Sequence, residues 1–232
     1  MAIVQSLKIP RDELNRNFGG GLPMGGLVLI EGNDGGGKSI ISQRMAYGLL
    51  ENDYTVSYIS TELNLMGFIQ QMDSLKYRIT DKIIAEDLLF ISMFPQLGNV
   101  RLKSSFLRDL LNCQKLFSTD VIIIDTISYL LLNEDVKTED IFYLLSFIKK
   151  ITSLNKTLIL CTNPEQCNKI FLEHIRGISD VYLKSEAKTV LGNLLHVINV
   201  IRYKKALKEV TNTTAFKVIP GAGFALELAS LA

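Results

Sequence analysis

Short apolar runs alternate with segments of helical period along most of this chain. Leu27-Val28-Leu29-Ile30 precedes a glycine cluster and predicts a buried parallel strand. Ser39 to Leu50 carries apolar residues at helical spacing, and Tyr54 to Ser60 predicts a second strand. Phe68 to Leu75 predicts helix, Leu88 to Ser92 a short strand, and Ser105 to Phe117 another helix. Val121-Ile122-Ile123-Ile124 is β-branched throughout and predicts a central strand. Thr138 to Leu154 predicts an amphipathic helix with Thr138 as N-cap, and Thr157 to Cys161 a further central strand. Residues 93–104 and 163–193 look largely irregular. After Asp180 the pattern turns strand-like at 181–184, 194–202, 213–219 and 224–228. The expectation is one α/β domain over residues 1–232. Its sheet is mostly parallel and is extended by antiparallel C-terminal strands.

Composition narrows the classes. Apolar residues make up 47% of the 232, enough for a large core, and the formal net charge of +1 gives no global pull towards nucleic acid. Cys113, Cys161 and Cys167 are an odd set without C-x-x-C spacing, so neither a disulfide framework nor a zinc site is expected. His174 and His196 read as structural or surface residues. Met1 to Pro10 lacks a signal-peptide pattern, and no run approaches a membrane span of roughly 20 apolar residues. The expectation is a cytoplasmic protein.

The strongest chemical signal is Gly32-Asn33-Asp34-Gly35-Gly36-Gly37-Lys38-Ser39, followed by Ile40. Its pattern, G-x-x-x-x-G-K-S, lies between an apolar strand and a helix. Glycines let backbone N–H groups wrap phosphates, lysine reaches the β- and γ-phosphates, and serine ligates magnesium. The helix that follows presents its positive end to the anion. An accidental match is expected roughly once in a hundred chains, before the strand and helix are counted. The residues imply a nucleoside triphosphate, with ATP expected, and Mg2+. Asp34 is a carboxylate inside this cradle, expected to point outwards.

Asp125 ends the apolar run 121–124, where phosphate-loop proteins place a magnesium-holding aspartate. An aspartate that only ends its strand is the alternative; the phosphate loop upstream favours the metal reading. Thr126 follows it, so no carboxylate adjoins it to activate water. Glu62, at the end of Ser60-Thr61-Glu62, is the candidate for that task, against the alternative of a solvated loop residue.

The leader Ile9-Pro10-Arg11-Asp12-Glu13-Leu14 with Phe18-Gly19-Gly20-Gly21-Leu22-Pro23-Met24-Gly25 resembles the start of KaiC- and RecA-like ATPases. Tyr58-Ile59-Ser60-Thr61-Glu62-Leu63, Arg202-Tyr203-Lys204-Lys205-Ala206 and Phe216-Lys217-Val218-Ile219-Pro220-Gly221-Ala222-Gly223 resemble the FlaH (ArlH) family of archaellum accessory ATPases. The resemblance implies a RecA-like three-layer core and a cytoplasmic, homo-oligomeric (hexameric) ring, peripheral at the membrane base of the archaeal motility filament. It implies partnership with the motor ATPase FlaI and the membrane platform protein FlaJ, and ATP binding with weak or no hydrolysis. Membrane contact would come only through partners. It also implies that Arg202 and Lys204, alternating on a late strand, reach a γ-phosphate in their own or a neighbouring subunit. The leader departs from the family in having Arg11-Asp12-Glu13, and Asn163-Pro164 stands where some relatives sense the γ-phosphate; a turn-initiating role is expected for Asn163. Competing readings are a DNA-strand ATPase like RecA and RadA, and a KaiC-like autokinase. The segment 164–193, with Lys169, Arg176, Lys184 and Lys188, also holds Glu165, Glu173, Asp180 and Glu186, which is no basic funnel for a single strand.

Overall fold

The computed structural model describes residues 4–93, 110–131, 137–190, 192–219 and 222–227. Strands β1 (Val4–Gln5) and β2 (Leu22–Pro23) pair with each other and enclose helix α1 (Leu14–Asn17). There follow β3 (Leu27–Glu31), α2 (Lys38–Leu50), β4 (Val56–Ser60), α3 (Leu65–Ser74), α4 (Thr80–Ile84) and β5 (Leu88–Ser92). Beyond the undescribed residues come β6 (Val121–Asp125), α5 (Ile127–Leu130), α6 (Thr138–Ser153), β7 (Thr157–Thr162) and α7 (Lys169–Ile178). Strands β8 (Val181–Val190), β9 (Asn193–Tyr203), β10 (Thr213–Ile219) and β11 (Gly223–Glu227) follow.

The main sheet has nine strands in the order β11-β10-β9-β8-β3-β7-β6-β4-β5. From β8 to β5 all neighbours are parallel; β9, β10 and β11 attach antiparallel. The apolar runs explain this order. β3, β4, β6 and β7 are buried at every position, as a sheet covered on both faces requires. Alternate residues feed two cores. Val28, Ile30, Tyr58 and Ile123 face α2 and α3, while Leu29, Ile59, Ile122 and Ile124 face α6 and α7. Each fully buried Val, Leu or Ile side chain among these contributes about 1.5–3 kcal/mol. The result is the three-layer α/β core expected, with helices on both sides of the sheet.

The leader is fixed by chemistry that periodicity does not show. Arg44 on α2 is fully buried, donating to Asp12 through Nε at 2.7 Å and Nη2 at 2.8 Å and to the Leu7 carbonyl at 3.1 Å. A buried bidentate pair of this kind holds the leader against the phosphate-loop helix.

Three expectations change. Thr138 is the first residue of α6 and not its cap; Lys137 holds that place, its N–H donating to Asp140 Oδ2 at 3.1 Å. The segment 163–193 is not irregular: Asn168 Oδ1 caps α7, and β8 runs ten residues. The helix expected over Ser105 to Phe117 falls partly outside the described residues. Within them, helix ends before Cys113 and Gln114–Phe117 forms a short 3-10 turn.

Candidate nucleotide site

The loop 32–37 leaves the C-terminal end of β3 at the centre of the sheet, where open α/β sheets bind ligands. Gly37 caps α2 in the left-handed conformation at φ 94°. A Cβ there would also meet the His196 and Phe216 rings at 3.0 Å. A Cβ on Gly32 would lie 2.2 Å from the Ser185 carbonyl of β8. Only glycine satisfies both demands, so the loop backbone lies flush against β8 and β9.

Inside the loop Lys38 is buried, and its Nζ donates to the Asn33 carbonyl at 2.9 Å. Ser39 Oγ donates to Asp125 Oδ1 at 3.2 Å. Asp125 is 3% exposed and takes a further donor, Tyr58 Oη, on Oδ2 at 2.7 Å; Thr126 Oγ1 donates to Oδ1 at 3.3 Å. Tyr58 also pairs with Ser42 on α2 at 2.8 Å. Burial, then the Asp125 charge, pushes the Tyr58 hydroxyl far above its ordinary range, so it stays a donor. β3, β4, β6 and α2 thus converge on one oxygen-rich point.

Ser39 and Asp125 offer hard oxygen ligands, which suit Mg2+ held by few protein groups together with phosphates and water. Among the described residues no cluster of three or more His, Cys, Asp or Glu could hold a metal. The Ser39 and Asp125 oxygens would fit an ion shared with a bound phosphate group. Such an ion would neutralise charge on the β- and γ-phosphates.

A cavity of about 240 Å³ opens above this point, lined by Asp34, Gly35, Gly37, Lys38, Ser39, Ile40, Glu62, Gln71 and His196. Glu62 stands where β4 ends, as its sequence position implies. Partial desolvation, then the Asp125 charge, raises its proton affinity, with Lys38 opposing and Asp34 adding. From the cavity wall its carboxylate would be placed to orient an attacking water or take its proton. A larger cavity of about 520 Å³ lies outside the loop, between Glu31 to Asp34 and Lys184 to Ala187. It contains neither Lys38 nor Ser39, so the smaller cavity is the candidate phosphate site.

Asp34 differs from expectation in detail. Its side chain is 73% exposed, yet it is not solvated alone. Asn163 Nδ2 donates to its Oδ1 at 2.9 Å and Gln166 Nε2 to its Oδ2 at 3.2 Å. Asn163 also initiates the turn after β7, its Oδ1 accepting from the Glu165 N–H at 3.0 Å. It both starts a turn and touches the loop.

Arg202 and Lys204 are not brought to the phosphate loop of their own chain. Arg202 pairs with Tyr182 near the start of β8. Its Nη1 donates to the carbonyls of Arg176, Gly177 and Ser179 at the C-terminal end of α7. Lys204 lies one residue past β9, with Nζ 3.8 Å from Asp180. Both residues meet at the α7–β8 corner, outside the cavity. Arg176 is likewise no free cation, being doubly bonded to buried Glu31 at 2.7 and 2.6 Å.

Periodicity missed His196, Gln71, Tyr58 and Gln166. Tyr58 was open to detection, since it shares a strand face with Ser60 two residues before the strand ends. His196 left no signal, because β9 reaches the loop only by the return of the β8–β9 hairpin.

The comparisons with known proteins agree with this architecture. A family model described as "ATPase: KaiC" matches residues 9–222. The chain belongs to the KaiC ATPase family. It is 36% identical over 228 residues to the archaeal flagellar ATP-binding protein FlaH of Methanocaldococcus jannaschii, with 97% of each chain covered. To FlaH of Methanococcus voltae it is 34% identical over 226 residues, covering 97% of this chain and 98% of the relative. The crystal structure of the flagellar accessory protein FlaH from M. jannaschii superposes with a TM-score of 0.90 at 35% identity, covering 98% of this chain and 100% of that one. Within the KaiC family the chain is thus a FlaH homologue.

Proposed function

We propose that the chain binds ATP with Mg2+ and serves the archaellum as a nucleotide-state component. Its ATP-bound state would control its association with the motor ATPase FlaI and the platform protein FlaJ. The observation that carries the nucleotide part is the convergence of Lys38, Ser39 and buried Asp125 at the C-terminal ends of β3 and β6. The archaellum part is carried by the relatives, which are named archaeal flagellar ATP-binding proteins.

Hydrolysis is weak or absent in this reading. Thr126, not a carboxylate, follows Asp125, and the acidic side chains on the cavity wall are Glu62, beyond β4, and Asp34, within the loop. The chain acts in a homo-oligomeric ring, cytoplasmic and peripheral at the membrane base. No helix among the described residues is long and apolar enough to cross a membrane. In such a ring Arg202 and Lys204, which lie away from their own chain's cavity, act across a subunit boundary.

The test is complementation of an archaellum-negative deletion strain with Lys38→Ala, together with capture of FlaI by the purified protein with and without ATP. Loss of filaments and of ATP-dependent capture is expected. Normal filaments in cells carrying a variant shown not to bind ATP would contradict the proposal.

A further inference from the structure

The segment after β7 lies across the phosphate loop and holds it by side-chain amides. Asn163 and Gln166 each donate to one oxygen of Asp34, at 2.9 and 3.2 Å, and Asn33 Nδ2 donates to Glu165 Oε1 at 2.9 Å. Asn163 is itself anchored. It is buried, and its N–H donates to Ser128 Oγ at 3.1 Å. Asp34 Oδ1 also lies 3.9 Å from the Lys38 ammonium, which is the group that must reach the β- and γ-phosphates.

A carboxylate at this point opposes what the rest of the loop does. It attracts the same ammonium that the phosphates need, and it repels each negative charge they bring. The repulsion grows with the charge at the terminal phosphate, so it bears more on a triphosphate than on a diphosphate. The two amides are neutral and cancel no charge. They occupy the carboxylate's acceptor sites and tie it to the β7 segment, so that Oδ1 stays 3.9 Å from the Lys38 ammonium and does not close to a direct hydrogen bond.

We propose that Asp34 is a specificity-determining residue that sets the balance between nucleoside triphosphate and diphosphate, with Asn163 and Gln166 as its positioning residues. This rests on the loop being the nucleotide site. Because Asp34 is largely exposed, the effect is modest. Removing its charge raises ATP affinity roughly two- to fivefold, the range of an exposed charge pair, and ADP affinity less. Freed of its two amides, the carboxylate closes on Lys38 and ATP affinity falls. In the absence of the Asp34 charge, the same loss of amides has little effect.

The experiment is calorimetric titration of the full chain with ATP and with ADP, each with Mg2+. It compares the wild type, Asp34→Asn, the Asn163→Ala/Gln166→Ala pair, and all three changes together, at low and high salt. The expected result is an ATP-to-ADP affinity ratio that rises in Asp34→Asn and falls in the amide pair. In the triple variant the ratio returns to that of Asp34→Asn, and the differences shrink at high salt. A purely structural strap would lower both affinities in Asp34→Asn by the same factor; that result, or an unchanged ratio, overturns the proposal. If the wild type binds neither nucleotide, the nucleotide site itself is refuted and the proposal falls with it.

Discussion

The Tyr58 hydroxyl donates to Asp125 Oδ2 at 2.7 Å, from the neighbouring strand and wholly inside the core. Ser39 donates to the other oxygen. The aspartate that would face a metal is therefore oriented from behind by tyrosine and approached from the front by the phosphate-loop serine, an outer-shell arrangement that fixes a ligand's direction.

Tyr58→Phe removes one donor from a buried carboxylate and keeps the ring against Phe68. Loss of a buried partner costs about 1–3 kcal/mol. The variant should unfold at lower urea, and its ATP affinity should lose part of the gain that Mg2+ gives. Unchanged urea midpoints and Mg2+ dependence would show that Asp125 needs no such support.

Glu31, immediately before the loop, is buried and bound by Arg176 and Tyr182. Burial pushes its carboxyl up, and the Arg176 and Tyr182 hydrogen bonds more than offset this, leaving it below the ordinary range. A depressed carboxyl stabilises the fold above its unfolded pKa and loses that contribution as pH falls through the folded value. Arg176→Met should destabilise by about 1–3 kcal/mol at neutral pH, less than a fully buried pair because Arg176 is partly exposed. Urea unfolding from pH 7 to pH 3 should show the difference from wild type shrinking in acid. A constant or growing difference would refute the charge pairing.

His196 stacks on Phe216 at 5.1 Å, and that ring stacks on Phe224 at 4.7 Å. Burial holds the imidazole below its ordinary value, with the Gly36 backbone acting the other way. A histidine with a lowered folded pKa binds protons better when unfolded, so stability falls as pH drops through and below about 6.5. His196→Phe should lose that component. Thermal melts at pH 7.5 and 5.5 should show a smaller drop in Tm for the variant than for wild type. An equal drop would place the acid sensitivity elsewhere.

The phosphate loop, Asp125, Glu62 and the parallel strands were legible because each is encoded locally, as a glycine spacing, an apolar run or a strand end. The leader motif and tail carried the family resemblance, which the comparisons bear out. What was not legible depends on distant chain segments meeting. Asn163 and Gln166 reach Asp34 across the end of β7, and Arg176, counted by sequence among the cations of the segment 164–193, is held by Glu31. α7 was missed because two structure-breaking residues, Pro164 and Asn168, precede it, and Asn168 proves to be its cap. Arg202 lies on β9 as expected, but Lys204 lies one residue beyond it, and both sit at the α7–β8 corner. Which way a strand runs relative to the phosphate loop is a property of the sheet and not of the strand.

In the proposed function nucleotide is held as a state more than it is consumed. ATP binding with Mg2+ by calorimetry, beside phosphate release from the same sample, tests it most directly for wild type, Lys38→Ala and Glu62→Gln. Tight binding with negligible release is expected, with binding lost in Lys38→Ala and kept in Glu62→Gln. Robust release by the wild type that collapses in Glu62→Gln would contradict it and make the protein a turnover ATPase with Glu62 as its base.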